Sequence, residues 1–346
     1  MSIDANTQLP ELSVVIPTVG RETLIPTVKS LLAADGADRM EVIVAGAVGD
    51  GPVGAELREL CAAHSAIRHL PVQFEKGDSS EKKNAGWRAA SADYVAFLDD
   101  DVEVASDWPV RVLEAFAQPS TTYISGPGLV PPRVDLFARL AGIVLASPAT
   151  GYVAWRYRHG ASALVPVKWS KIIGCNMAFR RALLEEMNGF DPGFWPGEEM
   201  IAAYQAEQRG HQLKFYSPAW VYHYPRQSLV RFCRQIIGYG STRIRLLRAG
   251  VEFEPTTLIP AAGVFALVMG LIGACFSRVL AVGLLGAMAL YALAALGIGI
   301  WMALESRQSR DLLCALLVPV VHVCYGIAGW WEIIRPNHDF SISRRE

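Results

Sequence analysis

The sequence predicts an α/β protein, a mostly parallel and doubly wound sheet, followed by C-terminal transmembrane helices. Two observations carry this. Short β-rich runs alternate with helical spacing over roughly residues 10 to 105, the pattern of parallel strands joined by crossover helices. The segment from Leu258 to Met302 holds a single charge, Arg278. Hydrophobic residues make up 52% of the 346-residue chain and mean hydropathy is +0.26, so their placement matters more than the average.

Leu12-Ser13-Val14-Val15-Ile16-Pro17 reads as a first strand stopped by proline, and Thr23 to Ala34 carries helical spacing through Leu24, Val28, Leu31 and Leu32. Glu41 to Ala45 is a second strand, a helix follows around Ala55 to Ala63, and Ile67 to Phe74 is a third strand. A short helix, Lys82 to Ala90, precedes the run Ala92 to Leu98, a buried strand that ends in Asp99, Asp100 and Asp101. Past Trp108 the pattern loosens. Helices are expected at Val110 to Phe116, Leu136 to Ala146, Leu183 to Met187 and Glu199 to Arg209, with strands at Thr121 to Ser125, Ile172 to Arg180 and Leu213 to Tyr216. The helix at 136–146, with Arg133 and Arg139 flanking or interrupting it, is too short to cross a bilayer and belongs to a core or to the membrane interface.

Three apolar blocks close the chain, at about 258–276, 279–304 and 312–334, each near the length of about 20 residues that a bilayer requires. Gly and Ala are dense in the first two, which suits close helix packing in lipid. Between Arg226 and Arg248 there are six arginines and no acid. With Arg307 and Arg310, that bias places the N-terminal domain in the cytoplasm, at the inner face of the cell membrane, and the tail outside. Arg231, Arg234, Arg245 and Arg248, interleaved with Leu229, Phe232, Ile236 and Leu246, describe a basic amphipathic helix. Such a helix lies on anionic membrane lipids, with contact to a lipid-linked diphosphate as the functional addition. Nucleic acid is excluded as a partner, because the basic face runs straight into a span. The resulting division is 1–225, a cytoplasmic domain; 226–256, the interfacial helix and linker; 257–335, three spans; and 336–346, a tail.

The six cysteines show no CxxC spacing or Cys/His cluster, so they read as small buried apolar residues and not as a disulfide framework or zinc site. Met1 to Leu9 is polar and lacks the apolar core of a signal peptide, and the chain is expected to start in the cytosol.

The chemistry concentrates at carboxylates. In an extended backbone Asp99 and Asp101 point one way and Asp100 the other. Two charges about 4 Å apart at an effective dielectric of about 20 repel by roughly 4 kcal/mol, so such a strand end calls for a cation or raised pKa values, unless it is a solvated acidic turn. Oxygen ligands suit Mg2+ or Mn2+. Glu198 and Glu199 follow a Gly/Pro-rich loop at a helix start, where a carboxylate serves either as a cap or as a general base. His223, between aromatics, is either a ligand or a structural residue.

Val14-Val15-Ile16-Pro17-Thr18 with Arg21, then Lys83-Asn84-Ala85-Gly86, Phe97-Leu98-Asp99-Asp100-Asp101, Gly174 to Arg181, Gly189-Phe190-Asp191, Glu198-Glu199 and His223 stand in one order along the chain. In that order they resemble family 2 glycosyltransferases, inverting enzymes of the Rossmann-like GT-A fold. Arg231 to Gln235, Gly238-Tyr239-Gly240 and Arg243, followed by spans with His322, Tyr325-Gly326 and Gly329, resemble the membrane-bound members that build succinoglycan-type exopolysaccharides.

The resemblance implies a nucleotide-sugar donor, a polyprenyl-linked or glycan acceptor, and a divalent metal at the DxD positions Asp99 and Asp101, with His223 completing that site. Pro17, Thr18, Arg21, Lys83, Asn84 and Asp100 would line the nucleotide and its diphosphate. Glu199 would be the catalytic base with Glu198 beside it, and Gly174, Asn176, Trp195, Arg231 and Arg234 would face the acceptor. After the second strand the family usually shows an acid pair where this chain has Ala45-Gly46-Ala47, which leaves Asp50 or other contacts to hold the nucleotide. The helix after Glu199 also carries Ile201 and Gln205 where an acid and an arginine are usual. These departures motivate a second reading, a catalytically silent protein of the same fold that binds a glycan or a partner in polysaccharide assembly.

Overall fold

A computed structural model describes residues 9–75, 78–194, 196–252 and 254–336. The chain forms two compact units: Met1–Leu129 with Arg158–Tyr224, and Val130–Tyr157 with Pro225–Glu346. The division expected at residue 225 does not include the transfer of residues 130–157 to the C-terminal unit.

The elements of the first unit begin with β1 (Leu12–Pro17), α1 (Leu24–Leu32), β2 (Met40–Ala45), α2 (Pro52–Ala63), β3 (Ile67–Leu70) and α3 (Asp78–Ala89). They continue with β4 (Tyr94–Leu98), β5 (Val102–Val104), α4 (Trp108–Phe116), β6 (Tyr123–Ser125) and β7 (Gly128–Leu129). After α5 (Leu136–Ala146), which belongs to the second unit, come β8 (Val165–Pro166), β9 (Asn176–Arg180), α6 (Arg181–Met187), α7 (Glu198–Gln208), β10 (Leu213–Phe215) and β11 (Val221–His223).

One eight-stranded sheet runs β3-β2-β1-β4-β9-β6-β10-β8. Its first half is parallel as expected: β1 pairs with β2 and β4, and β2 with β3. Leu12, Val14, Val15 and Ile16 of β1 are fully buried, which a strand covered on both faces requires. The second half is mixed, because β9 runs antiparallel to both β4 and β6. An apolar run reports burial but not direction, so the sequence could not show that reversal. Phe97, Phe179 and Phe190 meet edge to face with ring centroids 4.9–5.8 Å apart, closing the core over β4 and β9. A second, three-stranded sheet, β5-β11-β7, is built from strands of two or three residues that periodicity is too short to reveal.

One buried acid ties the parallel half together. Glu41 on β2 accepts from the Ser13 and Ser91 hydroxyls (2.7 Å each), the Ser91 amide (2.6 Å) and Arg68 (2.6 Å). Burial raises its pKa, but these donors outweigh burial and hold it below the ordinary carboxylate value.

The second unit contains α5, α8 (Leu229–Arg248), α9 (Ile259–Ala274), α10 (Arg278–Ser306) and α11 (Leu317–Ile334). Three of its helical segments, Pro255–Ala274, Arg278–Ser306 and Ser309–Ile334, are long and apolar enough to cross a membrane, in line with the three expected spans. Their close packing uses small residues: a Cβ on Gly240 of α8 would strike the Tyr325 carbonyl and Ala328 of α11, and one on Gly326 would strike Pro260 and Val264. Helix α5, capped by Asp135 on the Ala138 amide (2.9 Å), buries Leu140, Ala141, Ile143, Val144 and Leu145, so it contributes to this unit's core. Arg139 of α5 donates to both carboxylate oxygens of Asp311 (2.7 and 2.6 Å), and Asp311 is fully buried.

Two outcomes follow. Arg139→Ala leaves the buried Asp311 carboxylate without its bidentate partner, with only Ser306 and Arg310 to support it, and thermal unfolding in detergent should show a loss of about 3 kcal/mol, with Arg139→Met/Asp311→Leu regaining most of it. For Glu41 the folded pKa is depressed, so its stabilisation is present above the ordinary carboxylate value near 4.5 and fades as pH falls below it. Glu41→Gln should lose about 1–2 kcal/mol at pH 7 and flatten the stability profile between pH about 5 and 3.

Candidate active site

The site assembles at the carboxyl end of β4. The strand stops at Leu98, and Asp99, Asp100 and Asp101 form a turn before β5 begins at Val102, so the backbone is not extended through the three acids. Asp99 and Asp101 nevertheless converge, for a reason that lies in the small sheet. Antiparallel pairing of β11 with β5 puts His223 opposite Val102, and the Tyr224 amide donates to the Asp101 carbonyl (3.1 Å). His223 Nε2 thereby stands 3.3 Å from Asp101 Oδ1, and one ligand atom each from Asp99, Asp101 and His223 lie within 4.8 Å of one another.

The electrostatics of this cluster favour added positive charge. Burial raises the Asp99 pKa, and the neighbouring Asp101 raises it further against the pull of Lys83 and His223. Burial drives the His223 imidazole toward neutrality, yet the adjacent Cys175 sulfur and the Asp101 carboxylate hold its pKa well above the usual histidine value. Two carboxylates and an imidazole in this arrangement fit a hard divalent cation.

Asp100 turns away from the cluster. It accepts from the Thr18 hydroxyl (2.6 Å) and from Arg21 Nη1 (3.2 Å), and burial lifts its pKa to about 6 against the pull of Arg21. Arg21 also lies 3.6 Å from Asp101, and its side chain is 34% exposed. Pro17 ends β1 and Thr18 follows it, so the parallel pairing of β1 with β4 carries both to the same sheet edge as the three acids.

Lys83 and Glu198 form a buried ion pair at 2.6 Å. Burial alone would lower the Lys83 pKa, but Glu198, Asp99 and Glu199 together raise it above the ordinary lysine value. Burial pushes the Glu198 carboxyl up, yet Lys83 and the Ser79 hydroxyl at 2.6 Å bring it below the usual range. Glu199 is half-buried and packs on Gly174, where a Cβ would come within 3.1–3.4 Å of its side chain.

Some expected residues point elsewhere. The Asn84 carboxamide exchanges two 2.8 Å bonds with the Phe190 backbone and accepts from Trp87, and Asn84 is 2% exposed. Its carboxamide is thereby engaged in holding the loop at Phe190. Asn176 accepts from the Trp108 indole (3.1 Å) and donates to the Ala219 carbonyl (2.7 Å). Asp50 is fully exposed and pairs with Arg58 at 3.3 Å, outside the acidic cluster. Arg231 and Arg234 lie exposed on α8 in the second unit, and Trp195 falls outside the described residues. Ser79 and Cys175 were not singled out from the sequence. Ser79 stands four residues before Lys83, a spacing that becomes a signal only once the helix is known to start at Asp78.

The chain belongs to glycosyl transferase family 2, whose profile matches residues 13–187. Its fold is GT-A: it superposes on the mannosyltransferase PcManGT from Pyrobaculum calidifontis, solved with GDP-Man and Mn2+, with a TM-score of 0.55 and 17% identity, over 94% of this chain and 88% of that one. The succinoglycan biosynthesis protein ExoA of Rhizobium meliloti is 26% identical over 191 residues, 54% of this chain and 51% of that protein. The pre-mycofactocin glycosyltransferase of Mycobacterium tuberculosis is 23% identical over 223 residues, 64% and 46% respectively. A Campylobacter jejuni GalNAc(5)-diNAcBac-PP-undecaprenol beta-1,3-glucosyltransferase is 32% identical over 99 residues, 28% and 32%. The chain spans about half the length of the first two of these relatives.

Removing the Asn84 carboxamide separates its two readings. Asn84→Ala should lower the thermal midpoint, a loss of about 2 kcal/mol for the orphaned Phe190 backbone, while calorimetry with nucleoside diphosphate and Mn2+ gives the wild-type affinity.

Proposed function

We propose that the protein is a membrane-anchored, inverting glycosyltransferase. It moves a sugar from a nucleotide-sugar to a polyprenyl-linked or glycan acceptor in cell-surface polysaccharide synthesis. The observation that carries this reading is the convergence of Asp99, Asp101 and His223 beside Lys83, whose charge is also felt by Glu198 and Glu199. The names of two relatives, a succinoglycan biosynthesis protein and a glucosyltransferase of an undecaprenol-diphosphate glycan, support the acceptor class. The three apolar helices support a multi-pass anchor in the inner membrane, with the first unit cytoplasmic by the basic bias of 226–248.

Asp99, Asp101 and His223 would hold a divalent ion, Mg2+ or Mn2+, which when bound neutralises charge on the departing nucleoside diphosphate. Arg21, anchored on Asp100 and part-exposed, is placed to add a guanidinium contact to the phosphates. Thr18 and Asp100 form one wall of the nucleotide pocket at the β1 and β4 ends. Of the two glutamates, Glu199 is the base. Glu198 is 4% exposed and its low pKa opposes proton uptake, whereas Glu199 is half-buried and reachable. Glu199 takes the proton from the acceptor hydroxyl as that oxygen attacks the anomeric carbon opposite the leaving diphosphate, which inverts the centre.

Two variants and one screen test this. Asp101→Ala should weaken Mn2+-dependent nucleoside diphosphate binding at least about tenfold by calorimetry. Glu199→Gln should keep that binding and lose about 100-fold or more in transfer rate. A nucleotide-sugar panel incubated with protein and membrane extract, read by mass spectrometry, should show one transferred sugar; no transfer from any donor, with Asp101→Ala binding as wild type, would sink the reading.

A further inference from the structure

We infer that Glu198 is a positioning residue, and that Ser79, Lys83 and Glu198 form a buried node by which α3 aims the carboxylate of Glu199. The inference rests on Glu199 being the base. Helix α7 opens at Glu198 after Gly197, whose φ of 108° is a conformation that side-chain-bearing residues rarely adopt. No side chain of Gly197 caps the helix, so the direction of its first turn depends on other contacts.

Glu198 Oε1 supplies them, accepting from Lys83 Nζ and from the Ser79 hydroxyl, both at 2.6 Å, while Lys83 also donates to Ser79 at 3.1 Å. Glu198 Oε2 accepts from the Gly197 amide at 3.2 Å. Lys83 and Glu198 are 3% and 4% exposed, so their ion pair is shielded from water.

The same face of α3 holds the other end of the loop. Ser80 donates to the Asp191 carbonyl at 3.0 Å, and Asn84 makes its paired bonds to Phe190. Ser79, Ser80, Lys83 and Asn84 are spaced as two adjacent i, i+4 rows, which is one continuous stripe of a helix. Phe190, Asp191 and Glu198 are therefore all held by the one helix.

The consequence for Glu199 is geometric. Successive residues on a helix project about 100° apart, so locking Glu198 into α3 fixes the direction of its neighbour. That direction carries Glu199 onto Gly174, where the missing side chain leaves the space it occupies.

Steady-state transfer with the full chain in detergent, using the donor found in the screen, tests the node. Glu198→Gln keeps an oxygen that can accept from Lys83 and Ser79 but loses the Gly197 bond and the charge facing Lys83, so kcat should fall by no more than about fivefold, with the pH profile of kcat unmoved. Glu198→Ala should lower kcat about 100-fold with the donor KM within about threefold, as expected when a reacting group is misplaced by about 1 Å. Ser79→Ala, a milder change should Glu198→Ala fail to fold, should lower kcat about three- to tenfold with the same unchanged KM. If Glu198→Gln falls as far as Glu199→Gln, or loses the basic limb of the profile, Glu198 is chemical and the inference is overturned. It is also overturned if Glu198→Ala and Ser79→Ala lower only the melting midpoint and leave kcat per folded molecule intact. A fully active Glu199→Gln would instead refute Glu199 as the base, leaving the bonds of the node as they are.

Discussion

Three consecutive carboxylates in a turn at a partly buried strand end raise one another's pKa, on top of the larger effect of burial, and the first unit sets a partner against each. Each acid has its own counterweight. Asp100 has Thr18 and Arg21, Asp101 has His223, and Asp99 feels Lys83. The compensation is incomplete: Asp99 and Asp100 remain above their ordinary pKa and His223 stays well above its own. A deficit of positive charge in a site that sits at a sheet's carboxyl edge is what a bound cation relieves.

The sheet topology supplies the counterweights from far along the chain. Parallel pairing of β1 with β4 delivers Thr18 and Arg21 from one side. Antiparallel β9 brings Asn176 opposite Leu98, so that the preceding turn at Gly174 lies against Glu199. The short ladder between β5 and β11 delivers His223 across more than a hundred residues. Helix α3 does comparable work on its own scale, fastened to the Thr18 carbonyl through Lys82 (2.8 Å) and to the loop before α7 through its other polar residues.

The second unit solves a related problem in apolar surroundings. Its helices approach through glycines, and two of its buried acids are matched by arginines: Asp311 by Arg139, and Glu332, 1% exposed, by Arg248 at 3.1 Å. Pairing of this kind is costly to break and so specifies how α5 and α8 join the apolar helices.

Much of this was legible residue by residue. The alternation of strands and helices, the strand ending in Asp99 to Asp101, the helix at 136–146 and the three apolar spans all follow from period, composition and length, which are local quantities. Strand direction, and which partner each polar side chain takes, are not local. Lys83 and Asn84 sit side by side in sequence with equal claim to a ligand, yet one is neutralised by Glu198 and the other is consumed by Phe190, each more than a hundred residues away. His223 could be read as an isolated histidine until β11, three residues long, paired it with the turn at Asp101. Charge and hydrophobic period are written along the chain; the matching of donors to acceptors exists only once the chain has closed on itself, because burial makes every unmatched polar group costly and leaves few arrangements that satisfy them all.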